Sequence, residues 1–316
     1  MFMYGHCIYK YNGIAISRSN LWHKLETGRL LNEATPPPGE TMSVVYGFEA
    51  RAVVAEGRIT TAQIEHVKAW LTAENLHLTD EQVVLFSLSC LNEPEDTKTT
   101  IRAYCTTKKI HPVLFTDRSM RQSELQQQLQ VVDFAVFPRR TVDGCAIVFH
   151  SLRDPNFRRY HMETAMKLLL MTLDAAIYDH PSTGLVMLFD MKGVGLLHLT
   201  RVRLKAVQVF CQYLQEALPV KLTEIHVLNT VNFLEKVLNI LRPFVKTELF
   251  EKIKFHSTRL DMDEFHAKYV PRECLPADYG GELGPLEVLA EGNARRLLEL
   301  ETFFEAEENQ QRRNII

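Results

Sequence analysis

The segment "GLVMLFDMKGVGLLH" (residues 184–198) places a carboxylate and two glycines directly after a continuous apolar run. Asp190 followed by Gly193 and Gly195 suggests a dinucleotide site, because glycines after a strand let a pyrophosphate approach the backbone. That fingerprint needs a third glycine at position 198, which is His198. The pattern therefore favours a glycine turn in which Asp190 is a cap or turn acceptor. A nucleotide-dependent enzyme that uses Asp190 as a base is the less favoured alternative.

The segment "HSTRLDMDEFH" (residues 256–266) contains His256, Ser257 and Asp261, the residue types of a serine-hydrolase triad. Closeness in sequence is not triad geometry, so we predict a strand end followed by a loop. His226, in the run "IHVLN", is predicted to be a histidine with satisfied hydrogen bonds in a strand. The chain has neither a GxSxG elbow nor a P-loop. We expect no catalytic residue, no cofactor and no metal site.

The six cysteines show no CxxC spacing and no Cys/His cluster of the zinc-site type. Such scattered cysteines predict reduced thiols and a cytoplasmic location. The net charge is −3, so no global field attracts the chain to nucleic acid or to an anionic membrane. The best candidate for a transmembrane span, "MKLLLMTLDAAIY", is short and contains Lys167 and Asp174. We therefore expect no nucleic-acid partner and only peripheral contact with membranes.

The hydrophobic pattern divides the chain into four regions. Residues 1–41 end in "EATPPPGETM", whose prolines predict a flexible, extended N-terminal connector. Residues 42–130 show helical periodicity and capping threonines, which predicts an N-terminal helical domain. Over residues 131–283, apolar runs such as "CAIVFH" alternate with helical segments, which predicts an α/β domain with a mainly parallel sheet. Residues 284–316 are predicted to be a C-terminal helix that frays into a polar tail.

Three helices are predicted between the strands, near residues 157–178, 200–216 and 231–242. The third, in "LNTVNFLEKVLNILRPFV", is apolar around most of its circumference, and Pro243 ends it. Leu234 and Leu238 lie four residues apart on its most apolar face. Such a helix either belongs to a core or covers a partner that binds reversibly.

Several segments, taken in order, resemble the CRAL-TRIO lipid-binding family, which includes tocopherol and retinaldehyde carriers. "LRDPNF" leads into the first long helix, and "GLVMLFDMKGVGLLH" resembles the family's strand, acidic residue, glycine and histidine. "LPVKLTEIHVLNTVNFLEKVLNILRPFV" resembles its signature of a proline, an Ile-His pair, an asparagine and a Pro-Phe pair. "KIKFHS" and "LPADYGG" match the segments that close the domain. The resemblance covers about residues 131–283, and the helical stretch 48–120 resembles the accompanying N-terminal domain.

The resemblance implies a bowl whose sheet floors an apolar cavity, with a mobile helix as the gate. Val231, Leu234 and Leu238 would belong to the gate, and Val231 replaces a turn proline, so entry to the gate is expected to differ in rigidity. Lys167 falls at a pocket-facing position but either points away or meets a polar ligand head, because a buried unpaired lysine is costly. The implied ligand-binding residues are Thr164, Lys167, Met171, Leu185, Phe189, Val202, Phe210, Leu214, Leu218 and Ile225.

A tocopherol-binding member of the family also holds phosphoinositide phosphates with four basic residues beside the gate. Lys221 and Lys252 keep that character here, whereas Thr223 and Glu248 occupy the other two positions. The resemblance therefore implies a phosphoinositide site that is weakened relative to the family pattern.

The resemblance as a whole implies a cytoplasmic, non-enzymatic carrier of a hydrophobic small molecule or lipid, whose gate opens at membranes. Tocopherol, retinoid, carotenoid, sterol-like and phospholipid cargoes all fit an apolar cavity. A phosphoinositide-sensing adaptor, whose cavity is incidental, is the alternative.

Overall fold

Five strands form one sheet at the centre of the computed structural model, which describes residues 43–314. The strands lie in sequence order across the sheet. The first pair is antiparallel and every later pair is parallel, so the predicted mainly parallel sheet is confirmed. The predicted extension at residues 1–41 lies outside the described residues. The strands are β1 (Val132–Val136), β2 (Ala146–Leu152), β3 (Leu185–Asp190), β4 (Leu222–Leu228) and β5 (Ile253–Phe255).

Thirteen α-helices accompany the sheet in the described part of the chain, and the helices before β1 belong to the same compact unit as the sheet. No helix within residues 43–314 is long and apolar enough to cross a membrane. The helices are α1 (Ala50–Ala55), α2 (Thr61–Ala73), α3 (Asp80–Ser89), α4 (Pro94–Ile110), α5 (Pro112–Phe115), α6 (Ser123–Leu129), α7 (Met162–Tyr178), α8 (Leu204–Glu216), α9 (Leu234–Leu241), α10 (Thr247–Phe250), α11 (Met262–Lys268), α12 (Leu286–Glu299) and α13 (Glu301–Arg313).

Local sequence explains the helix starts in the N-terminal part. Thr60 and Thr79 cap α2 and α3, and each forms a capping box with the glutamine three residues later. Pro112 follows α4 and begins α5, because proline disfavours helical geometry at the preceding residue. The threonine caps and the end of the helix before Pro112 agree with the sequence-based predictions.

The helices predicted within the α/β region are shorter than expected at their N-terminal ends. Residues 196–201 form a separate 3₁₀ helix, so α8 begins at Leu204 rather than near residue 200. The helix predicted from residue 231 begins at Leu234. Asn229 has a φ of 50°, in the left-handed region that asparagine tolerates, and the chain turns there before it can become helical.

The two faces of the sheet are covered differently. On one face, Ile147, Phe149 and Leu188 form an apolar cluster with Phe265 of α11 and with the segment 270–275. The other face, which carries Leu185, Met187 and Phe189 of β3, is called the crossover face here. Parallel strands in sequence order require right-handed crossovers on one side of the sheet, so α7, α8 and α9 lie over this face.

A buried ionic network fastens the last helix to the rest of the molecule. Glu307 of α13 accepts hydrogen bonds from Lys108 at 2.5 Å and from Arg118 at 2.5 Å, and also from the hydroxyl of Tyr104. Arg118 also donates to Asp174 of α7 at 3.1 Å. The C-terminal segment predicted to fray is therefore packed as α13, because Glu307 has buried cationic partners far away in the sequence.

The opposite charges in this network offset the free-energy cost of removing one another from water. Burial alone would raise the pKa of Glu307, but the positive charges of Lys108 and Arg118 lower that pKa to about 2. Burial, followed by the neighbouring Glu307 carboxylate, raises the pKa of Asp174 to about 6, although Lys108 and Arg118 oppose the shift. Glu307 is therefore the carboxylate that stays ionised against the two buried cations.

We expect Glu307→Gln to lower the free energy of unfolding by about 3–5 kcal/mol, because two buried cations lose their shared carboxylate. The stabilisation should be complete above the ordinary glutamate pKa of 4.5 and be lost as pH falls towards 2, because the folded-state pKa is the lower one. Urea unfolding of both proteins, at neutral pH and in acid, measures this.

Glu305→Gln is the matched control, because Glu305 lies on the same helix and is exposed. It should change the free energy of unfolding by less than about 0.5 kcal/mol. Equal urea midpoints for Glu307→Gln and Glu305→Gln at neutral pH would contradict the assigned role of the network.

Candidate functional site: an apolar space over the crossover face

The crossover face is well packed at one end of the strands and less so at the other. Leu185 and Ile225 are buried, whereas Phe189 and Val227 further along β3 and β4 are only half-buried. Phe255 of β5 pairs with Val227 and is also half-buried. Apolar side chains in neighbouring strands of a covered sheet are normally buried on both sides. Their partial exposure shows that the helices do not fully cover this end of the sheet.

Helix α8 stands over this region without packing closely on the strands. Its main contacts are with α4, α7 and α9. Phe210 and Leu214 lie one turn apart on α8; Phe210 is half-buried and Leu214 is buried. A crossover helix that rests on other helices, instead of on the sheet, leaves room between itself and the strands.

Helix α9 lies against α8 and keeps its polar side outward. Leu238 is buried and Leu234 is half-buried, whereas Glu235 and Asn239 are exposed. The segment after α9 is held by Gln215 near the end of α8, whose amide donates to the Phe244 carbonyl at 3.0 Å. The same side chain accepts a hydrogen bond from the backbone N–H of Lys246 at 2.6 Å. The apolar side predicted for this helix therefore faces the protein in this structure.

The structure brings together part of the predicted ligand-binding set. Leu185, Phe189 and Ile225 share the crossover face by strand register. Met171 of α7 is fully buried, and Leu218 is buried just after α8. The remaining predicted residues lie around these on α7, α8 or the adjoining loop: Thr164, Val202, Phe210 and Leu214. Val231, predicted for the gate, is half-buried in the turn before α9.

Lys167 has a role different from ligand contact. Its ammonium group donates to the Thr116 carbonyl at 2.6 Å and lies 3.5 Å from the Asp117 carbonyl. Burial lowers the pKa of Lys167, and the nearby Asp117 carboxylate partly opposes this. Of the two expectations for Lys167, the structure supports the one in which it points away from the sheet. It fastens α7 to the loop after α5.

The two lysines predicted for phosphoinositide binding lie at the same edge of the sheet. Lys252 donates to the Leu222 carbonyl at 2.6 Å, and Lys221 directly precedes β4 with its side chain exposed. Thr223 is half-buried in β4, and Glu248 is exposed on α10. The geometry therefore offers two cations near one another and one carboxylate on the neighbouring helix.

Asp190 joins the ends of β3 and β4 to a later loop. Its carboxylate accepts hydrogen bonds from the Lys192 backbone at 2.8 Å, the Asn229 amide at 2.8 Å and the Tyr279 hydroxyl at 2.5 Å. Gly193 has a φ of 83°, which identifies it as the turn glycine that the sequence predicts. All these contacts are structural, so the predicted turn acceptor is confirmed.

The sequence did not reveal Tyr279 as a partner of Asp190. The segment "LPADYGG" marked a turn, but nothing in it indicates that a side chain reaches 89 positions back to a strand end. A polar cavity of about 470 Å³ lies beside this contact, on the face away from the crossovers, and is lined in part by Asn229, Ser257 and Tyr279.

The histidines of the sheet are also structural. His226 is fully buried, and its ring nitrogens lie 3.0 Å from His256 and 3.0 Å from the Glu224 carboxylate. Burial is the main cause, and the adjacent His256 a further one, that together lower the pKa of His226 to about 3. Ser257 accepts a hydrogen bond from the Arg259 backbone and Asp261 caps α11, so the three candidate triad residues form no triad.

Comparison with known proteins gives a family. Residues 132–281 match the family described as "CRAL/TRIO domain". The human protein named "Alpha-tocopherol transfer protein-like" is 25% identical over 188 residues, which cover 58% of this chain and 53% of that protein. The human protein named "Clavesin-2" is 26% identical over 132 residues, 41% of this chain and 39% of that protein. The matched region thus spans about half the length of the first relatives, or less.

A solved structure is also similar. The structure titled "Crystal structure of Sfh5" superimposes with a TM-score of 0.44 and 15% sequence identity. The superposition covers 79% of this chain and 83% of that chain.

Proposed function

Since residues 132–281 match the CRAL/TRIO domain family, we propose that this chain carries a hydrophobic small molecule or lipid over its crossover face. The observation that carries the proposal is the half-buried apolar floor formed by Phe189, Val227 and Phe255. Fully burying a large apolar side chain stabilises a protein by about 1.5–3 kcal/mol, so three half-buried side chains contribute only part of that free energy. An apolar ligand that fills the space recovers that stabilisation.

The surrounding helices suit such a ligand. Helix α8 supplies apolar side chains from above, and α9 places Leu234 and Leu238 at the rim. Ligand sites of this kind are mainly apolar, with a few polar groups that set orientation. Asp190 and Lys167 both make contacts within the protein. In this proposal the protein therefore acts by shielding its ligand from water and not by catalysis.

Helix α9 is proposed as the gate. Moving it away from α8 in water would expose Leu234 and Leu238, at a cost of about 1.5–3 kcal/mol for each side chain. A membrane surface would accept the same side chains and remove that cost. The gate therefore stays closed in solution and opens at a bilayer, where the cargo can leave.

The cargo is identified by direct measurement. Native mass spectrometry of the purified protein, followed by lipid extraction, should reveal one bound apolar molecule per chain. The relatives named "Alpha-tocopherol transfer protein-like" make α-tocopherol the first ligand to offer to lipid-free protein. A folded protein that stays empty after incubation with α-tocopherol and mixed lipids would contradict the carrier proposal.

We expect the double variant Leu234→Asp, Leu238→Asp to transfer cargo between vesicles at least about tenfold more slowly than the unmodified chain, because charged groups replace the inward side of α9. The measurement is transfer of a fluorescent apolar ligand from donor to acceptor vesicles. Far-ultraviolet circular dichroism confirms that the variant is folded.

The matched control places the same two carboxylates on the outer side. Asn232 and Asn239 are exposed, so Asn232→Asp with Asn239→Asp adds equal charge without touching the apolar side. This control should transfer cargo normally. Normal transfer by a folded Leu234→Asp, Leu238→Asp protein would exclude α9 as the gate.

The second candidate function is a phosphoinositide-sensing adaptor, favoured by the closeness of Lys221 and Lys252. We expect Lys221→Gln with Lys252→Gln to weaken binding to phosphoinositide-containing vesicles by about thirtyfold, since each of the two cations near a membrane is worth about 1 kcal/mol. Vesicle co-sedimentation measures the affinity. If the protein carries no lipid and this variant alone abolishes vesicle binding, the adaptor interpretation replaces the carrier.

Arg259→Gln with Lys268→Gln is the charge-matched control, because both residues are exposed and lie near α11 on the other face of the sheet. It should bind phosphoinositide vesicles like the unmodified chain. An equal loss for both double variants would show that total charge, rather than this edge of the sheet, determines binding.

A further inference from the structure

Large apolar side chains are concentrated at one place on the surface. Among residues 43–314, eight large apolar side chains are at least half exposed. Three of them, Leu196, Leu197 and Leu204, lie in the 3₁₀ helix and at the start of α8, and are 50%, 56% and 57% exposed. Ile110 and Val113, at the corner between α4 and α5, are 61% and 60% exposed. Single exposed leucines are ordinary, but a group of this size calls for a partner.

The corner and the start of α8 are neighbours in space. Helix α8 packs along α4. Burial lowers the pKa of His111, and the positive charge of Lys205 lowers it further, so these two side chains lie within electrostatic reach. His111 separates Ile110 from the proline that precedes Val113, and Lys205 follows Leu204. The corner therefore lies close to the start of α8, and Leu196 and Leu197 precede Leu204 by eight and seven residues in the chain. These five exposed apolar side chains are together called the docking face here.

The segment that presents Leu196 and Leu197 is held firmly. The Gly195 N–H donates to the His198 ring at 3.0 Å, and the Thr200 hydroxyl donates to the Leu197 carbonyl at 2.7 Å. Arg201 donates to the carbonyls of Phe157 at 3.0 Å and Arg158 at 2.9 Å. The two leucines are thus fixed in an outward position instead of folding back onto the protein. A preorganised apolar group loses little conformational entropy when it binds.

The docking face is formed by two chain segments that lack acidic residues. Residues 97–116 and residues 191–215 contain no aspartate and no glutamate. The second segment carries Lys192, Arg201, Arg203 and Lys205, although the whole chain has a net charge of −3. Arg203 and Lys205 are exposed beside Leu204. Exposed leucines beside cations, on a chain that is acidic overall, match the apolar interior and anionic surface of a membrane.

We propose that the docking face binds an anionic lipid bilayer, with its five apolar side chains entering the acyl boundary and Arg203 and Lys205 contacting lipid phosphates or carboxylates. The face is separate from the apolar side of α9, which is turned inward. It lies at the Leu204 end of α8, about 16 Å along the helix from the Gln215 side chain that holds the end of the gate segment. The inference rests on the proposed carrier function in that it supplies the surface at which cargo is released.

The position of the face relates it to the gate. The loop that leads from β3 to Leu196 begins at Asp190, and the loop that leads from β4 to α9 begins at Asn229. These two residues are hydrogen bonded at 2.8 Å. A bilayer that holds the docking face would therefore lie close to the start of the gate segment. None of the five apolar side chains of the docking face belongs to α9. The docking face can therefore bind the bilayer while the gate is closed.

The test is co-sedimentation with phosphatidylcholine vesicles that contain or lack phosphatidylserine, at low and at raised salt. We expect Leu196→Ser with Leu197→Ser to weaken binding to the anionic vesicles by about tenfold. Ile110→Ser with Val113→Ser should weaken it by a similar factor, since the corner belongs to the same face. Arg203→Gln with Lys205→Gln should weaken it and flatten its salt dependence.

Two control variants match these changes. Leu91→Ser with Val142→Ser removes side chains that are 68% and 86% exposed but lie elsewhere, and should leave vesicle binding unchanged. Arg259→Gln with Lys268→Gln removes the same charge from the far face and should also leave it unchanged. Equal effects for test and control pairs, or no binding of the unmodified chain to anionic vesicles, would overturn the proposal and leave the face to a protein partner.

The outcome separates this inference from the proposed function. Vesicle binding is measured without cargo, and cargo is measured without vesicles. A protein that contains a bound lipid but whose docking-face variants bind vesicles normally would refute the docking face alone. A protein that binds through the docking face but never contains an apolar ligand would refute the carrier alone.

Discussion

The one-sided placement of the crossovers is the constraint on which the rest of the structure depends. Because β2 to β5 are parallel and in sequence order, every connecting helix must lie over the same face. That face then receives more helices than it can pack closely, and α8 rests on α4, α7 and α9. The opposite face is left to the later chain, where Phe265 and its neighbours seal it. This topology is therefore compatible with the apolar ligand space proposed over the crossover face.

An underpacked space requires a rigid frame around it, and the buried charges supply one. Glu307, Lys108, Arg118 and Asp174 connect α13, α4, the loop after α5 and α7. Lys167 adds a second connection between α7 and the same loop. These contacts join helices and a loop to one another and involve no strand residue. The helices can therefore stay in place whether or not the space beneath them is filled, since their positions depend on one another more than on the strands.

Residues that act through local pattern could be predicted from the sequence. The apolar runs of β2, β3 and β4, the threonine caps, the turn at Gly193 and the interior placement of His226 all depend on near neighbours in the chain. The CRAL/TRIO domain was also recognisable from motifs in order. What the sequence could not reveal depends on distant partners. Lys167 was placed at a pocket-facing position by the family resemblance, which does not reveal its hydrogen bond to the Thr116 carbonyl 51 residues earlier.

The same limitation explains the other misjudged elements. Glu307 looked like part of a solvated tail, because its cationic partners lie about 190 to 200 residues earlier. The late start of α9 depends on the left-handed backbone of Asn229, whose side chain is held by Asp190 of another strand. The predicted ligand-binding residues are distributed over α7, α8, the loops that flank α8 and three sheet positions, so the face that each one occupies depends on register and crossovers.

In the proposed carrier, a docking face separate from the gate lowers the free-energy cost of opening the gate. A gate that was itself the first membrane contact would have to expose Leu234 and Leu238 to water before it reached the bilayer. A separate set of outward, fixed leucines avoids that barrier, because it binds the bilayer while α9 is still closed. Once the protein is held there, the gate can open into an apolar medium instead of water. In the proposed mechanism, the bilayer held at Leu196 and Leu204 shifts the equilibrium of α9 because it accepts Leu234 and Leu238 in the open state only, and only an interaction that differs between the two states can shift their populations.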